Sequence, residues 1–534
     1  MVFLITCQNG ASINIGGMKM KCFSEKVYLE ITPPTEEDTK SDQHRICQTL
    51  SDVGYKNAKI PLHILQKLYP LCRECDYHIT VTLVYREKDW IVTDVEAGDT
   101  RQMHYGLAVD YGSTTIVMQL VDLNTGAVVA QVRGTNGQRT YGTDILTRIT
   151  YTMEDSGHAD DLQKVTVETF QSLIGQLASQ TDIKVRSCPI MIVSGNTTMI
   201  HFLLKLNAWT VFSSPFAPVT TEPGWLWGSE LGLDFSGMLY IIPSASNYVG
   251  GDIVSGLLNL DIRQSEDTLL FFDIGTNGEL VIGNREWMLA GAGAAGPALE
   301  GYISRFGMQA GKGAIDTVTI HGKDLTFTTI DGSRPVGICG SGIIDLLAQM
   351  RLHGWINIAG TLNPDVTPRI IYLEEEQEYA AVYATAEESG SGEPLYFSQT
   401  DIKQYLDTKA AAYTMMDCLL ESAGCLETDI SHFYLSGAFS AHSNLESAIT
   451  IGIFPDQPRE KYTCISNASL DGARILLLDR TRMDDIQYFT ENLYCVQFAS
   501  IPDFLIRMHA AKFIPHTDIK RYPTVEASCR NLSS

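Results

Sequence analysis

Residues 105–115 read YGLAVDYGSTT, and residues 269–280 read LLFFDIGTNGEL. In each stretch an apolar run ends in an aspartate, a glycine turn follows, and a second apolar run begins. That second run is IVMQLVD at 116–122 in the first case and ELVIG at 279–283 in the other. Short apolar runs bounded by turn residues read as strands, so each stretch is expected to be strand, Asp-x-Gly-Ser/Thr turn, strand. Asn124-Thr125-Gly126 closes a further hairpin onto 127–132. The two copies match in pattern and not in identity, an internal repeat at the level of grammar.

Outward from the first copy, helical spacing covers 143–151 and 159–180, IMIVS at 190–194 reads as a buried strand, and 196–206 as the helix after it. Beyond the second copy come two helices at about 401–423, a buried strand at 432–435 and a helix at 469–478. Upstream, 27–31, 78–85 and 90–95 read as strands, with helical patterns near 41–53 and 61–72. The expected organisation is an N-terminal extension (1–25), a small α+β domain (26–104), a first lobe (105–267), a second lobe with a helix returning to the first (268–480), and a tail (481–534).

Glycine lets backbone approach a phosphate and bend with positive φ, and exposed amides and hydroxyls then cradle its oxygens. Candidate phosphate binders are Gly112, Ser113, Thr114 and Thr115 in one turn, and Gly275, Thr276, Asn277 and Gly278 in the other. Asp110 and Asp273 end the two leading strands, where a hydrated Mg2+ would bridge phosphates, since magnesium takes few carboxylates and keeps its waters. Gly437-Ala438, after the strand at 432–435, could lie flat against an adenosine. Asp252, in Gly250-Gly251-Asp252, opens a helix at 253–260 and reads either as its N-cap or as the group orienting an attacking water. Each turn alone could be an ordinary hairpin; two copies favour a shared ligand. Glu300 is a weaker acidic candidate. No GxxxxGK[ST] loop is present. These features predict an α/β fold of two ribonuclease-H-like lobes, the superfold of actin, hexokinase and the heat-shock chaperones, gripping ATP.

The chain has 534 residues, 44% hydrophobic and 19% charged, with net charge −24. Such an acidic balance argues against nucleic acid and anionic membrane as partners. Twelve scattered cysteines suit a reducing cytoplasm.

Further motifs are YGTDILTRI at 141–149, SGNTTMIHFLL at 194–204, SPFAPV at 214–219, VGGDIVSGLL at 249–258, GICGSGIIDL at 337–346, YLSGAFSAHSNLESAITIGIFP at 434–455 and FIPHTD at 513–518. With the two phosphate turns, this set resembles the ATPase family of reductive activators of corrinoid proteins from about Val27 onward. The resemblance implies ATP hydrolysis coupled to returning a cobalt(II) corrinoid to cobalt(I), a corrinoid protein of a methyltransferase system as partner, and compatibility with a homodimer. It also implies that 26–104 is a linker domain and that two connecting helices start at Gly251-Asp252 and after Ser466. Family members carry an N-terminal 2Fe–2S domain with C-x4-C-x2-C, a triple that is missing here. Cys7 could be a remnant of the distant ligand, and Cys72-x2-Cys75 is a lone pair in a helical pattern. No iron–sulfur cluster is therefore expected, with a truncated start or a separate ferredoxin-like electron donor as the two explanations. A sugar-type kinase and a nucleotide-dependent binding switch are the alternatives on the same fold.

Overall fold

The computed structural model describes residues 21–533, apart from residues 156, 276, 295–300, 302 and 438–443. Thr276, Ala438, Glu300 and Cys7 thus lie outside the described residues. Two compact units emerge: one runs to Leu260 and takes in Ser469–Glu491, and the other comprises Asp261–Ala468 and the chain from Asn492 on.

The first unit begins with a small α+β domain. Its elements are β1 (Ser24–Glu30), α1 (Asp42–Asp52), β2 (Ala58–Lys59), α2 (Leu62–Glu74), β3 (His78–Arg86) and β4 (Asp89–Ala97), with sheet order β1-β3-β4-β2. Ile46 and Leu50 of α1, and Ile64, Leu68 and Cys72 of α2, recur at four-residue spacing. They bury one face of each helix against Ile79, Val81 and Leu83. The Ser41 hydroxyl caps α1, accepting from the His44 amide. Tyr69 and Pro70 kink α2 near its end.

The same unit holds β5 (Tyr105–Tyr111), β6 (Thr115–Asp122), β7 (Val128–Thr135), α3 (Ile145–Glu154), α4 (His158–Thr181), β8 (Ile190–Gly195), α5 (Thr197–Leu203), α6 (Trp209–Phe212), β9 (Gly224–Trp227), β10 (Met238–Ile241) and α7 (Gly251–Leu257). The sheet order is β7-β6-β5-β8-β10-β9. β5, β6 and β7 form an antiparallel meander, onto which β8 and β10 add in parallel. Two helices return late in the chain, α11 (Ala468–Leu478) and α12 (Met483–Asn492). α11 packs on β5 at Gly106, where a methyl group would stand 3.0 Å from Leu477.

The second unit repeats that plan. β11 (Leu269–Ile274), β12 (Asn277–Gly283) and β13 (Met288–Ala294) make the meander, β20 (His432–Ser436) and β21 (Tyr462–Cys464) add in parallel, and β22 (Leu493–Val496) closes the far edge. The order β21-β20-β11-β12-β13-β22 therefore contains the same five-strand arrangement as the first sheet, which is the ribonuclease-H-like topology. Two three-stranded sheets are inserted: β14 (Ala314–His321), β15 (Asp324–Thr329) and β16 (Gly337–Ile338), then β17 (Ile370–Leu373), β18 (Glu378–Ala384) and β19 (Leu395–Ser398). The helices are α8 (Gly340–Leu352), α9 (Gln399–Ser422), α10 (Leu445–Ile451), α13 (Phe504–Ala511) and α14 (Pro523–Ser533).

One expectation is corrected here. The two helices expected at about 401–423 are a single helix, α9, of 24 residues. No Gly or Pro interrupts Gln399–Ser422, and Ala410–Ala412 is strongly helix-forming, so nothing breaks the run. A reciprocal capping box between Ser398 and Asp401 starts it.

Candidate functional site: two strand ends with one design

β5 ends in Asp110-Tyr111 and β11 in Asp273-Ile274. In register, Asp110 pairs with Ser194 of β8, and Asp273 with Ser436 of β20. Each serine is followed by a glycine. A methyl group on Gly195 would sit 3.0 Å from the Tyr111 carbonyl oxygen, and one on Gly437 would sit 2.2 Å from that of Ile274. In both units, then, an aspartate faces a Ser-Gly whose glycine is pressed on the next carbonyl. Gly437 also has φ +97 and would place a methyl 2.8 Å from Asp273 Oδ1.

The first turn is held by a residue that sequence reasoning did not single out. Asn136, fully buried just after β7, donates from Nδ2 to the Gly112 carbonyl at 2.9 Å, and its backbone amide donates to the Thr114 carbonyl at 2.9 Å. Its own Oδ1 accepts from the Gln138 amide. Two carbonyls of the turn are therefore drawn towards Asn136, while Gly112, Ser113, Thr114 and Thr115 are all only half-buried. Gly112 departs from expectation in one respect: its φ is not left-handed. Glycine is required there because a methyl group would lie 2.5 Å from the Thr115 carbonyl oxygen. In the second turn the Gly275 amide donates to the Asn277 carbonyl at 2.9 Å; Asp273, Gly275 and Asn277 are half-buried and Gly278 is buried.

Asp252 is not an N-cap. The cap of α7 is Gly250, with extended φ and ψ, and Asp252 lies in the first turn with Oδ1 accepting from the Ile253 amide at 3.0 Å. Gly250 and Gly251 let α7 start against neighbouring backbone. Methyl groups there would meet Asn196 Cα at 2.4 Å and the Ile242 carbonyl oxygen at 2.4 Å. The Ser194 hydroxyl is 3.1 Å from the Gly251 carbonyl. Asp110 and the start of α7 thus share the carboxyl end of the first sheet, where ligands of open α/β sheets bind.

Ser469, the second residue of α11, donates to Asp110 Oδ1 at 2.8 Å. Its hydroxyl also lies 2.9 Å from that of Ser194, and its carbonyl accepts from Ser255 of α7 at 2.5 Å. In the second unit the Ser436 hydroxyl accepts from the Ala468 amide at 3.2 Å. Serine in a helical pattern reads as surface or cap, so no signal marked Ser469 or Ser255.

Several quoted motifs are structural. His201 bonds the Thr197 carbonyl through Nδ1 at 2.7 Å and accepts from the Val219 amide through Nε2 at 3.1 Å, stapling SGNTTMIHFLL to SPFAPV. Burial lowers its pKa. Asp144 caps α3, and Arg148 donates from Nε to the Gly142 carbonyl, which folds YGTDILTRI on itself. Cys72 is fully buried in the core of the first domain, and burial pushes its thiol up to about 11. That is the setting of a packed thiol. Among the described residues no group of three or more His, Cys, Asp or Glu is arranged to hold a metal ion, and no helix is long and apolar enough to cross a membrane.

Paired ribonuclease-H-like sheets, each with an Asp-x-Gly turn at the carboxyl end, define an ASKHA domain. Three family models match successive parts of the chain. Residues 16–102 match the RACo linker region, 105–265 the RACo middle region, and 267–526 the C-terminal domain of RACo, the ASKHA domain. A solved structure of a reductive activator for corrinoid, iron-sulfur protein superposes with TM-score 0.88 at 32% identity, covering 95% of this chain and 82% of that one. The corrinoid activation enzyme RamQ of Eubacterium limosum is 27% identical over 91% of this chain and 82% of its own length. A [Co(II) methylated amine-specific corrinoid protein] reductase of Methanosarcina barkeri is 24% identical over 72% of this chain and 71% of its own. The chain belongs to the RACo family of reductive activators of corrinoid proteins.

Proposed function

We propose that this chain hydrolyses Mg2+-bound ATP and uses the cycle to drive a cobalt(II) corrinoid, carried by a partner protein of a methyltransferase system, to the cobalt(I) state. The observation that carries this reading is the repeated strand end, an aspartate in register with a Ser-Gly and followed by an Asp-x-Gly turn, on a chain of this family.

In this reading Gly112, Ser113, Thr114 and Thr115, with Gly275, Thr276, Asn277 and Gly278, take the phosphate oxygens. Gly437 and Ala438 lie against the adenosine. Asp110 and Asp273 would hold a hydrated Mg2+, and Asp252 would orient the attacking water. At each strand end a half-buried carboxylate beside a Ser-Gly and a glycine turn is the kind of donor that suits a hydrated Mg2+, which would neutralise phosphate charge. The reaction balances as ATP plus water giving ADP and phosphate, while one electron from a separate ferredoxin-like donor reduces the substrate cobalt. ATP supplies no electron. It shifts the equilibrium by binding the two conformations of the complex with different affinity. The described cysteines are all free, which supports a reducing, cytoplasmic setting.

The test is the cobalt(I) absorption spectrum, followed with a purified cobalt(II) corrinoid protein, a chemical reductant and Mg–ATP. The parent chain should produce cobalt(I) only with ATP. Asp110→Ala and Asp273→Ala should each slow ATP turnover on the order of 100-fold, as loss of one preorganised electrostatic group does. Phosphate transfer to a polyol without cobalt(I) would instead favour the kinase.

A further inference from the structure

Asp110 ends a strand, and its side chain has two rotatable bonds. Something must fix its carboxylate plane if it is to support Mg2+ in one geometry. One group placed to do so comes from a residue 359 positions away in the chain.

We infer that Ser469 is the positioning residue for the Asp110 carboxylate, and that a chain of serine hydroxyls ties that carboxylate to the start of α7. This rests on the reading of Asp110 as a support for Mg–ATP. Ser469 is 5% exposed and Ser194 fully buried, so water does not compete for their hydroxyls. An ionised carboxylate only accepts, so the single proton of Ser469 goes to Asp110 Oδ1, at 2.8 Å. The Ser469 oxygen then faces Ser194 as an acceptor, at 2.9 Å. Ser194 has one proton for two acceptors, Ser469 Oγ and the Gly251 carbonyl at 3.1 Å. Its choice couples the Asp110 side chain to the backbone that carries Asp252. Ser469 itself cannot drift. Ser255 of α7 holds its carbonyl, and one turn on, a methyl group at Gly472 would stand 1.9 Å from the Ser255 carbonyl oxygen. α7 and α11 therefore meet at van der Waals contact, with the hydroxyl aimed at the carboxylate.

The experiment measures ATP hydrolysis by the full chain across a Mg2+ titration, alongside thermal unfolding. Ser469→Ala should raise the Mg2+ concentration for half-maximal turnover about tenfold, the lower end of what loss of a supporting partner of a metal ligand costs. Ser469→Thr, which keeps the hydroxyl, should restore it. Ser255→Ala, which reaches Ser469 only through its backbone carbonyl, should lower the melting temperature and move the Mg2+ midpoint by less than Ser469→Ala does. If Ser469→Ala does not fold, Ser194→Ala is read in its place and should shift the midpoint in the same direction by less. An unchanged midpoint in Ser469→Ala, or in Ser194→Ala where that is the variant read, overturns the inference, as does failure of Ser469→Thr to differ from Ser469→Ala. Asp110→Ala is run beside them. Parental turnover in that variant overturns the nucleotide reading of the turn itself, whereas loss of turnover there with an unmoved Ser469→Ala midpoint overturns only the role of Ser469.

Discussion

Gly437 carries two separate demands. Its φ of +97 is one that side-chain-bearing residues rarely adopt, and a methyl group would sit 2.2 Å from a carbonyl oxygen that is part of β11. Relief would have to come from moving the strand end that carries Asp273. Gly437→Ala should therefore cost about 1–3 kcal/mol of stability, the usual price of such backbone strain. It should also weaken binding of a non-hydrolysable ATP analogue. Calorimetry and a binding titration check both, and parental values would show that this close approach is not required. Asn136 illustrates the complementary case, a residue needed for its donors: one side-chain amide and one backbone amide hold two carbonyls of the first turn.

Among the helices, α9 has an unexpected member. Lys409 is fully buried, and its ammonium donates to the carbonyls of Ala511 at 2.6 Å and Phe513 at 2.8 Å, and to that of Pro515. Burial drives its pKa well down from the ordinary lysine value. These carbonyls are the end of α13 and the start of FIPHTD, which accounts for that motif as the point where the C-terminal segment is tied to α9. Lys409→Met would fill similar volume but leave buried acceptors without a donor, at about 1–3 kcal/mol. The expected outcome is faster limited proteolysis between residues 504 and 533, with the rest of the second unit protected. Unchanged cleavage would show that packing of α13 on α9 suffices. Arg480 plays a related part just beyond α11. It stacks over Tyr85 and Trp90, at 4.7 and 5.0 Å, and pairs with Glu25 at 3.0 Å, which fastens the small N-terminal domain to the returning helix.

Acid should unfold the protein partly through one buried and one half-buried imidazole. His104 is 4% exposed, bonded to the Ser24 hydroxyl, and burial, reinforced by Lys26, lowers its pKa from 6.5 to about 3. His516 is lowered to about 4, by burial first and then by Arg521 and Lys409. Folded chains keep these rings neutral, while unfolded chains bind protons below about pH 6.5. Stability is therefore undiminished by them above that pH and falls as pH drops toward 3 or 4, at a limiting slope of about 1.4 kcal/mol per pH unit for each ring. Denaturant unfolding between pH 7 and 4.5 should show a shallower slope in His104→Gln than in the parent. Equal slopes would mean that His104 takes up its proton in the folded state.

The strand ends and glycine turns were legible in the chain because their causes are local. An apolar run must be buried, an Asp-x-Gly must turn, and the same grammar written twice implies two sheets of one topology. The motifs that resembled a corrinoid activator led to the family for the same reason. Other assignments depended on partners far away in sequence. A glycine at 250 takes the cap that was one of the two readings of Asp252, and no breaker divides α9. Asn136, Ser469 and Lys409 look like ordinary polar residues until the fold sets a carbonyl or a carboxylate opposite each of them. Sequence by itself determined that the runs at 105–110, 116–122, 127–132, 190–194, 269–273, 279–283 and 432–435 are strands, where the two Asp-x-Gly turns fall, and which acids precede them, since backbone sterics and side-chain hydrophobicity act over a few residues. Only the tertiary structure decided which hydroxyl or amide holds each acid and turn in place, because a hydrogen bond is a matter of distance and direction between groups the chain may separate by hundreds of residues.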